Sequence, residues 1–202
     1  APVAGLEAQV STAQVVSPEH RPGAGLTQRK WSASLRWAGP VSGGSGYAMA
    51  EWAETDEGDG VFTYESALVE AEWRAGAHRP YARFERKERP EEQRTADPFR
   101  SVRPHLDNAI LGVTRWTVVT AGYGFTAFVQ KGFVVEPLVE ALWSAIEKRG
   151  EGLFDVEDWY GDDRIWSVSL GVRVGGATPG AGRRMGRYGA VTQLPAGPGV
   201  HH

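Results

Sequence analysis

Cysteine is absent from the 202-residue chain, methionine occurs only twice, and there is no long hydrophobic run. The lack of cysteine excludes disulfide frameworks, thiolate zinc sites and cysteine nucleophiles. A membrane-spanning helix needs about 18 consecutive apolar residues, and no segment approaches that length, so a helical membrane protein is excluded. The net charge is −3 without a long basic run, which argues against a nucleic-acid partner.

What the chain has instead is strict alternation of apolar and polar residues. In the stretch IWSVSLGVRV, residues 165–174, every second side chain from Trp166 to Val174 is apolar, and those between them are small or polar. Because a strand points successive side chains to opposite faces, this segment predicts a strand with two different faces. In a soluble protein the apolar face meets a core, whereas in an outer-membrane barrel it meets lipid and the polar face lines the lumen.

Eight segments carry this pattern, joined by alternately short and long links rich in glycine, proline and charged residues. They are residues 6–16, 29–39, 47–57, 61–76, 79–89, 109–125, 133–150 and 165–174. This regular succession of strands and links predicts an all-β fold, an antiparallel up-and-down transmembrane β-barrel of about eight strands, alone or within a larger barrel. Residues 1–175 form the barrel domain in this prediction, and 176–202 a Gly/Pro/Arg-rich tail.

Two segments leave local alternatives open. Residues 133–149 also fit a helical stripe, with Pro137 in the first turn and Gly150 as C-cap, but the apolar parity is unbroken from Phe133 to Ala145 and favours a strand. In segment 109–125, three glycines are expected to mark bends or a bulge. They are Gly112, Gly122 and Gly124.

The orientation of the two faces decides between a lipid-facing barrel and a soluble lipocalin-like barrel that binds a small apolar ligand. The apolar parity is rich in alanine, and charges lie in mid-strand on the other parity, which favours apolar residues outward. The charges expected to face the lumen are Glu7, Arg36, Glu70, Arg83, Glu85, Glu136, Glu140 and Arg173. The aromatics expected to face lipid or its interface are Trp31, Trp37, Trp73, Phe133, Trp143 and Trp166.

The closing DDRIWSVSLGVRVGG resembles the C-terminal strands of bacterial outer-membrane β-barrel proteins, and RMGRYG resembles the end of porin-like members of that group. The resemblance is loose over most of the chain and closest over its last forty residues or so. It implies a place in the bacterial outer membrane. Such barrels commonly end on an aromatic residue in the last strand, whereas residues 175–202 follow it here; this departure permits a chain that is part of a larger barrel.

Few residues point to chemistry. Ser101 and His105 are four apart in a long loop, the only hint of a lipid-modifying barrel enzyme, and no third group orients them. The remaining histidines are too scattered for a metal site, and no cofactor is expected. We therefore predict a non-enzymatic structural or porin-like protein. Its expected partners are outer-membrane lipid and a protein at the C-terminal tail, where Arg183, Arg184 and Arg187 lie.

Overall fold

The structure, a computed structural model, describes residues 5–16, 27–57, 62–92, 110–130, 133–150 and 155–176. The strands form one antiparallel sheet, and a five-residue helix lies in the connection before the last strand. The elements are β1 (Leu6–Val16), β2 (Thr27–Val41), β3 (Gly44–Glu57), β4 (Phe62–Arg74), β5 (His78–Glu92), β6 (Ile110–Phe125), β7 (Phe128–Gln130), β8 (Phe133–Arg149), α1 (Val156–Tyr160) and β9 (Arg164–Gly176).

The sheet is a meander in which each strand pairs with its neighbours in sequence. The three-residue β7 pairs with the start of β8, and β6 pairs with the rest of it, so β6 and β7 together occupy one strand position. The sheet therefore has eight strand positions, one for each alternating segment. Residues 133–149 form a strand, so the helical alternative for this segment is wrong.

Connections at the two ends of the sheet differ in length. Two or three residues join the strands at one end, which we call the turn end: residues 42–43, 75–77 and 131–132. At the other, the loop end, the connections are residues 17–26, 58–61, 93–109 and 150–163. The predicted alternation of short and long links is confirmed. Because the number of strand positions is even, β1 begins and β9 finishes at the turn end.

The prediction that this chain alone closes into a barrel is wrong. In the part of the chain that the structure describes, β1 pairs only with β2 and β9 only with β8, so the sheet is open. Closure would bring the first and last strands to a spacing of about 4.8 Å. Side chains of β5 reach carboxylates on β8, whereas on β1 the side chains from Leu6 to Gln14 are exposed on both faces.

The strand register sorts the residues into an apolar face and a charged face. One row across all eight positions is Ala8, Leu35, Ala50, Val69, Phe84, Val119, Trp143 and Trp166. The next row towards the turn end is Leu6, Trp37, Ala48, Ala71, Ala82, Ala121, Ala141 and Val168. Neither row contains a charged or polar side chain, so the apolar face is continuous from one edge strand to the other.

Burial differs between the two faces. More than twenty large hydrophobic side chains are exposed, with Leu170 at 85%. The buried side chains include Glu70, Arg79 and Glu136 on the charged face. Since no second layer of sheet covers that face in the described ranges, its side chains are buried against one another, which requires the sheet to curve towards it.

Candidate functional site

The charged face is the candidate site, because it gathers ionisable side chains from every part of the sheet. All eight charges predicted to face a lumen lie on it: Glu7, Arg36, Glu70, Arg83, Glu85, Glu136, Glu140 and Arg173. All six predicted lipid or interface aromatics lie on the apolar face: Trp31, Trp37, Trp73, Phe133, Trp143 and Trp166. The alternation thus placed each of these residues on one common face or the other.

An ion cluster crosses the charged face near the turn end, and we call it the cross-strand cluster: Arg74, Glu72, Arg79, Glu136 and Arg173. Arg79 is its centre, with Nη1 donating to Glu72 at 2.9 Å and Nη2 donating to Glu136 at 2.5 Å. Arg173 donates to the same Glu136 oxygen at 3.0 Å, and Arg74 donates to Glu72 at 2.6 Å. Charges from β4, β5, β8 and β9 are therefore joined in one network of alternating sign.

Two glycines on β6 make this network possible. A Cβ at Gly122 would lie 2.0 Å from the Tyr81 ring, and one at Gly124 would lie 2.8 Å from the Glu136 carboxylate and 3.1 Å from Arg79. Side chains of β5 therefore lie across β6 and reach β8. The predicted bulge is absent at these two glycines, because the register is regular through both, whereas at Gly112 it is confirmed by the register shift between Glu91 and Glu92.

The middle of the charged face is held by pairs of hydroxyl and carboxylate groups. Tyr81 donates to Glu140 at 2.8 Å, and Tyr47 donates to Glu70 at 2.9 Å. Glu85 forms ion pairs with Arg83 at 2.7 Å and with Lys87 at 3.1 Å. A cavity of about 10 Å³ between Tyr47, Glu70, Tyr81 and Arg83 has room for about one water molecule. This part of the face is packed rather than open.

A second cluster lies towards the loop end, where α1 packs on the sheet; we call it the helix-capped cluster: Arg89, Glu91, Thr114, Trp116 and Tyr160. The Tyr160 hydroxyl donates to Glu91 at 2.8 Å, and Thr114 donates to the other Glu91 oxygen at 2.5 Å. The Tyr160 ring meets Trp116 edge-on with centroids 5.1 Å apart, and Arg89 lies over the Trp116 ring at 5.0 Å. Burial and, as a smaller cause, the hydrogen bond to Glu91 raise the pKa of Tyr160 to about 12.

The local sequence explains why a helix forms here. The Asp155 carboxylate accepts from the backbone N–H groups of Glu157 and Asp158 at 2.9 and 3.1 Å, which caps the first turn. Gly161 ends the helix with φ of +79°, a conformation that glycine adopts without strain. These two residues fix the short helix, and Tyr160 at its last position is thereby held over Glu91.

Sequence reasoning missed the residues that connect the charges. Glu72, Arg79, Tyr81 and Glu91 were not among the predicted site residues, although all four share the parity of their predicted neighbours Glu70, Arg83 and Glu85. That parity was the available signal. Ser101, His105 and the tail arginines Arg183, Arg184 and Arg187 lie outside the described residues, as does nearly all of the predicted tail.

The arrangement consists mainly of ion pairs and hydroxyl–carboxylate hydrogen bonds. Within the described ranges, no group of three His, Asp or Glu side chains is placed to hold a metal ion. Nor does the described part of the chain contain a helix long and apolar enough to cross a bilayer. Comparisons with family profiles, curated proteins and solved structures found no match. The candidate function therefore rests on the sheet itself.

Proposed function

We propose that this chain is an integral protein of the bacterial outer membrane, with its apolar face in contact with lipid and its charged face turned towards the interior of a barrel. Its role in this proposal is structural or porin-like, meaning passive passage of solutes along the charged face. The observation that carries the proposal is the register row from Ala8 to Trp166, in which all eight strand positions hold an exposed apolar side chain.

The size of the apolar face supports contact with hydrocarbon. Exposed apolar patches on soluble monomers seldom exceed a few hundred Å², because exposure costs about 25 cal/mol per Å². On β8 this face is apolar from Phe133 to Ala145, about 40 Å along the strand and about 30 Å across a bilayer at a tilt of about 40°. That matches the hydrocarbon core of roughly 30 Å.

The borders of the apolar face support the same proposal. Towards the loop end it meets charged residues, first Arg86 and Arg164 and, one row further, a charged rim: Glu54, Glu65, Glu88, Arg115 and Glu147. Glu88 accepts from Arg115 at 2.7 Å and also pairs with Arg149. Trp31 pairs directly with Glu54 on this border, and Trp73 and Phe133 lie towards the turn end. An apolar band between aromatic residues, with short turns at one end and long loops at the other, is typical of outer-membrane barrels.

The two other candidate functions have less support. A lipocalin-like barrel that binds an apolar ligand needs an apolar interior, but Val139 and Leu170 are register partners on the exposed face. A lipid-modifying enzyme depends on Ser101 and His105, which lie outside the described residues, and no further observation favours it.

Spin labels at adjacent positions on β9 test the proposal. The protein, reconstituted in phospholipid vesicles, is labelled at Leu170→Cys or, as the matched control, at Ser169→Cys. Because neighbouring residues point to opposite faces, the label at 170 should collide with oxygen dissolved in lipid, and the label at 169 with a water-soluble nickel chelate. Equal access of the chelate to both labels would contradict lipid contact.

A further inference from the structure

The outer sides of both edge strands are unpaired in the described part of the chain. β1 pairs only through β2, β9 pairs only through β8, and the side chains from Leu6 to Gln14 are exposed on both faces. Each free N–H and C=O group at such an edge costs several kcal/mol in hydrocarbon, where water cannot satisfy it. Under the proposed function, on which this inference rests, both edges therefore require a partner strand.

Both edges have few of the features that prevent strand addition. Proteins protect their edge strands with proline, bulges or charges. There is no proline in β1 or β9, and the register of both strands is regular. The only charged residues in the two strands are Glu7, Arg164 and Arg173. The edges are thus suited to pairing.

The two edges are complementary to each other. As the first and last of eight positions in an antiparallel meander, β1 and β9 run in opposite directions. A register with Glu7 opposite Arg173 places apolar residues together, as in Leu6 with Val174 and Val10 with Leu170. On the charged face it places Ser11 opposite Ser169. A shift of two residues either way would set Glu7 opposite glycine, at 171 or 175, instead of opposite a residue of the other charge.

We propose that a second copy of this chain fills both edges, with β1 of each copy pairing with β9 of the other. Within one chain, no Cα atom of β1 lies within 8 Å of one in β9, so the sheet does not pair with itself. Two sheets joined head to tail at both edges close a ring of about sixteen strands, a size that leaves an aqueous channel. The charged faces of both copies then line that channel.

Disulfide mapping tests this pairing against a background free of cysteine. Chains carrying Ser11→Cys and chains carrying Ser169→Cys are mixed, folded together in detergent and oxidised. We expect a disulfide-linked dimer in the mixture and none from either variant alone, because each Cys then faces a serine. The matched control replaces Ser169→Cys by Val168→Cys, which lies on the opposite face of the same strand and should give no dimer.

The double variant Ser11→Cys/Ser169→Cys separates the second copy from self-closure. Linked dimers support the proposal, whereas an oxidised monomer linked within one chain would overturn it, as would the absence of any disulfide in all mixtures. If no disulfide forms while the label at position 170 still lies in lipid, pairing with a second copy is ruled out but the proposed function is not. If that label is in water, the proposed function itself fails.

Discussion

The central strands β4 to β8 and the edge strands β1 and β9 share one alternating pattern but differ in what their charged face does. In the centre, Glu70 and Arg79 are 3% and 2% exposed. At the edges, Glu7 and Ser169 remain exposed on the same face. Alternation alone therefore sorts residues into two faces, but it does not bury either of them.

Side-chain length explains the difference. Arg79 and Tyr81 are long enough to cross β6 and reach carboxylates on β8. The edge strands carry more short residues on this face, including Ser11 on β1 and Ser169 and Gly171 on β9, with Glu7 and Arg173 as long exceptions. The centre is thus a packed, ion-paired wall, and the edges keep an open surface that faces the interior in the proposed barrel.

The largest expected effect comes from the centre of the cross-strand cluster. Arg79→Met should lower the free energy of unfolding by about 3–5 kcal/mol, because it leaves Glu72 and Glu136 buried without their shared cation. Urea unfolding of the protein in detergent micelles measures this. Arg74→Met is the matched control; its side chain is 39% exposed, so its loss should cost less than about 1 kcal/mol. Equal losses of unfolding free energy would show that burial does not distinguish the centre of the cluster from its exposed end.

An arginine on the apolar face tests whether the central strands lie deep in lipid. Ala121→Arg should cost about 2–4 kcal/mol in vesicles, the range for this residue near the bilayer midplane. Glu65→Arg, on the same face at the charged rim, should cost at most about 1 kcal/mol. The measurement is reversible unfolding from phospholipid vesicles. Similar costs at both sites would contradict a lipid-facing band with a polar border.

The glycines of the charged face give a smaller contrast between centre and edge. Gly122→Ala should cost about 1–3 kcal/mol, because its Cβ would overlap the Tyr81 ring and displace it from Glu140. At Gly171, on β9, the nearest atom to an added Cβ is a Leu138 methyl group at 3.3 Å, so Gly171→Ala should cost well under about 1 kcal/mol. Chemical unfolding of both variants checks the difference; a tolerated Gly122→Ala would mean that Tyr81 does not cross β6.

The sequence predicts the eight strand positions and the two faces because alternation is a local property of the chain. Trp166 to Val174 reveals its own two faces without knowledge of any neighbour, and the parity of Glu136 follows in the same way. The same reasoning identified the strand at 133–149 against a helical alternative, since seven apolar residues at one parity are a stronger signal than one proline.

The long-range geometry of the sheet could not be predicted from the sequence. Whether β1 meets β9 depends on curvature summed over the whole sheet, and no short segment encodes it; the closed barrel expected from the strand count was therefore wrong. The role of Gly122 was missed for a related reason. A glycine in a strand indicates a bend or a close approach, and only the position of Tyr81, some forty residues away in the chain, decides between the two.

The smallest expected effect is a pH dependence at the helix-capped cluster, which joins the central strands to the β8–β9 connection. The folded protein raises the pKa of Tyr160 from about 10 to about 12, so the folded state holds this proton more tightly than the unfolded state. Its stabilising contribution is complete below pH 10 and is lost as the pH rises through 12. The difference in unfolding free energy between the protein and Tyr160→Phe should therefore shrink between pH 9 and 12. A difference that stays constant over this range would mean that the Tyr160–Glu91 hydrogen bond does not stabilise the fold.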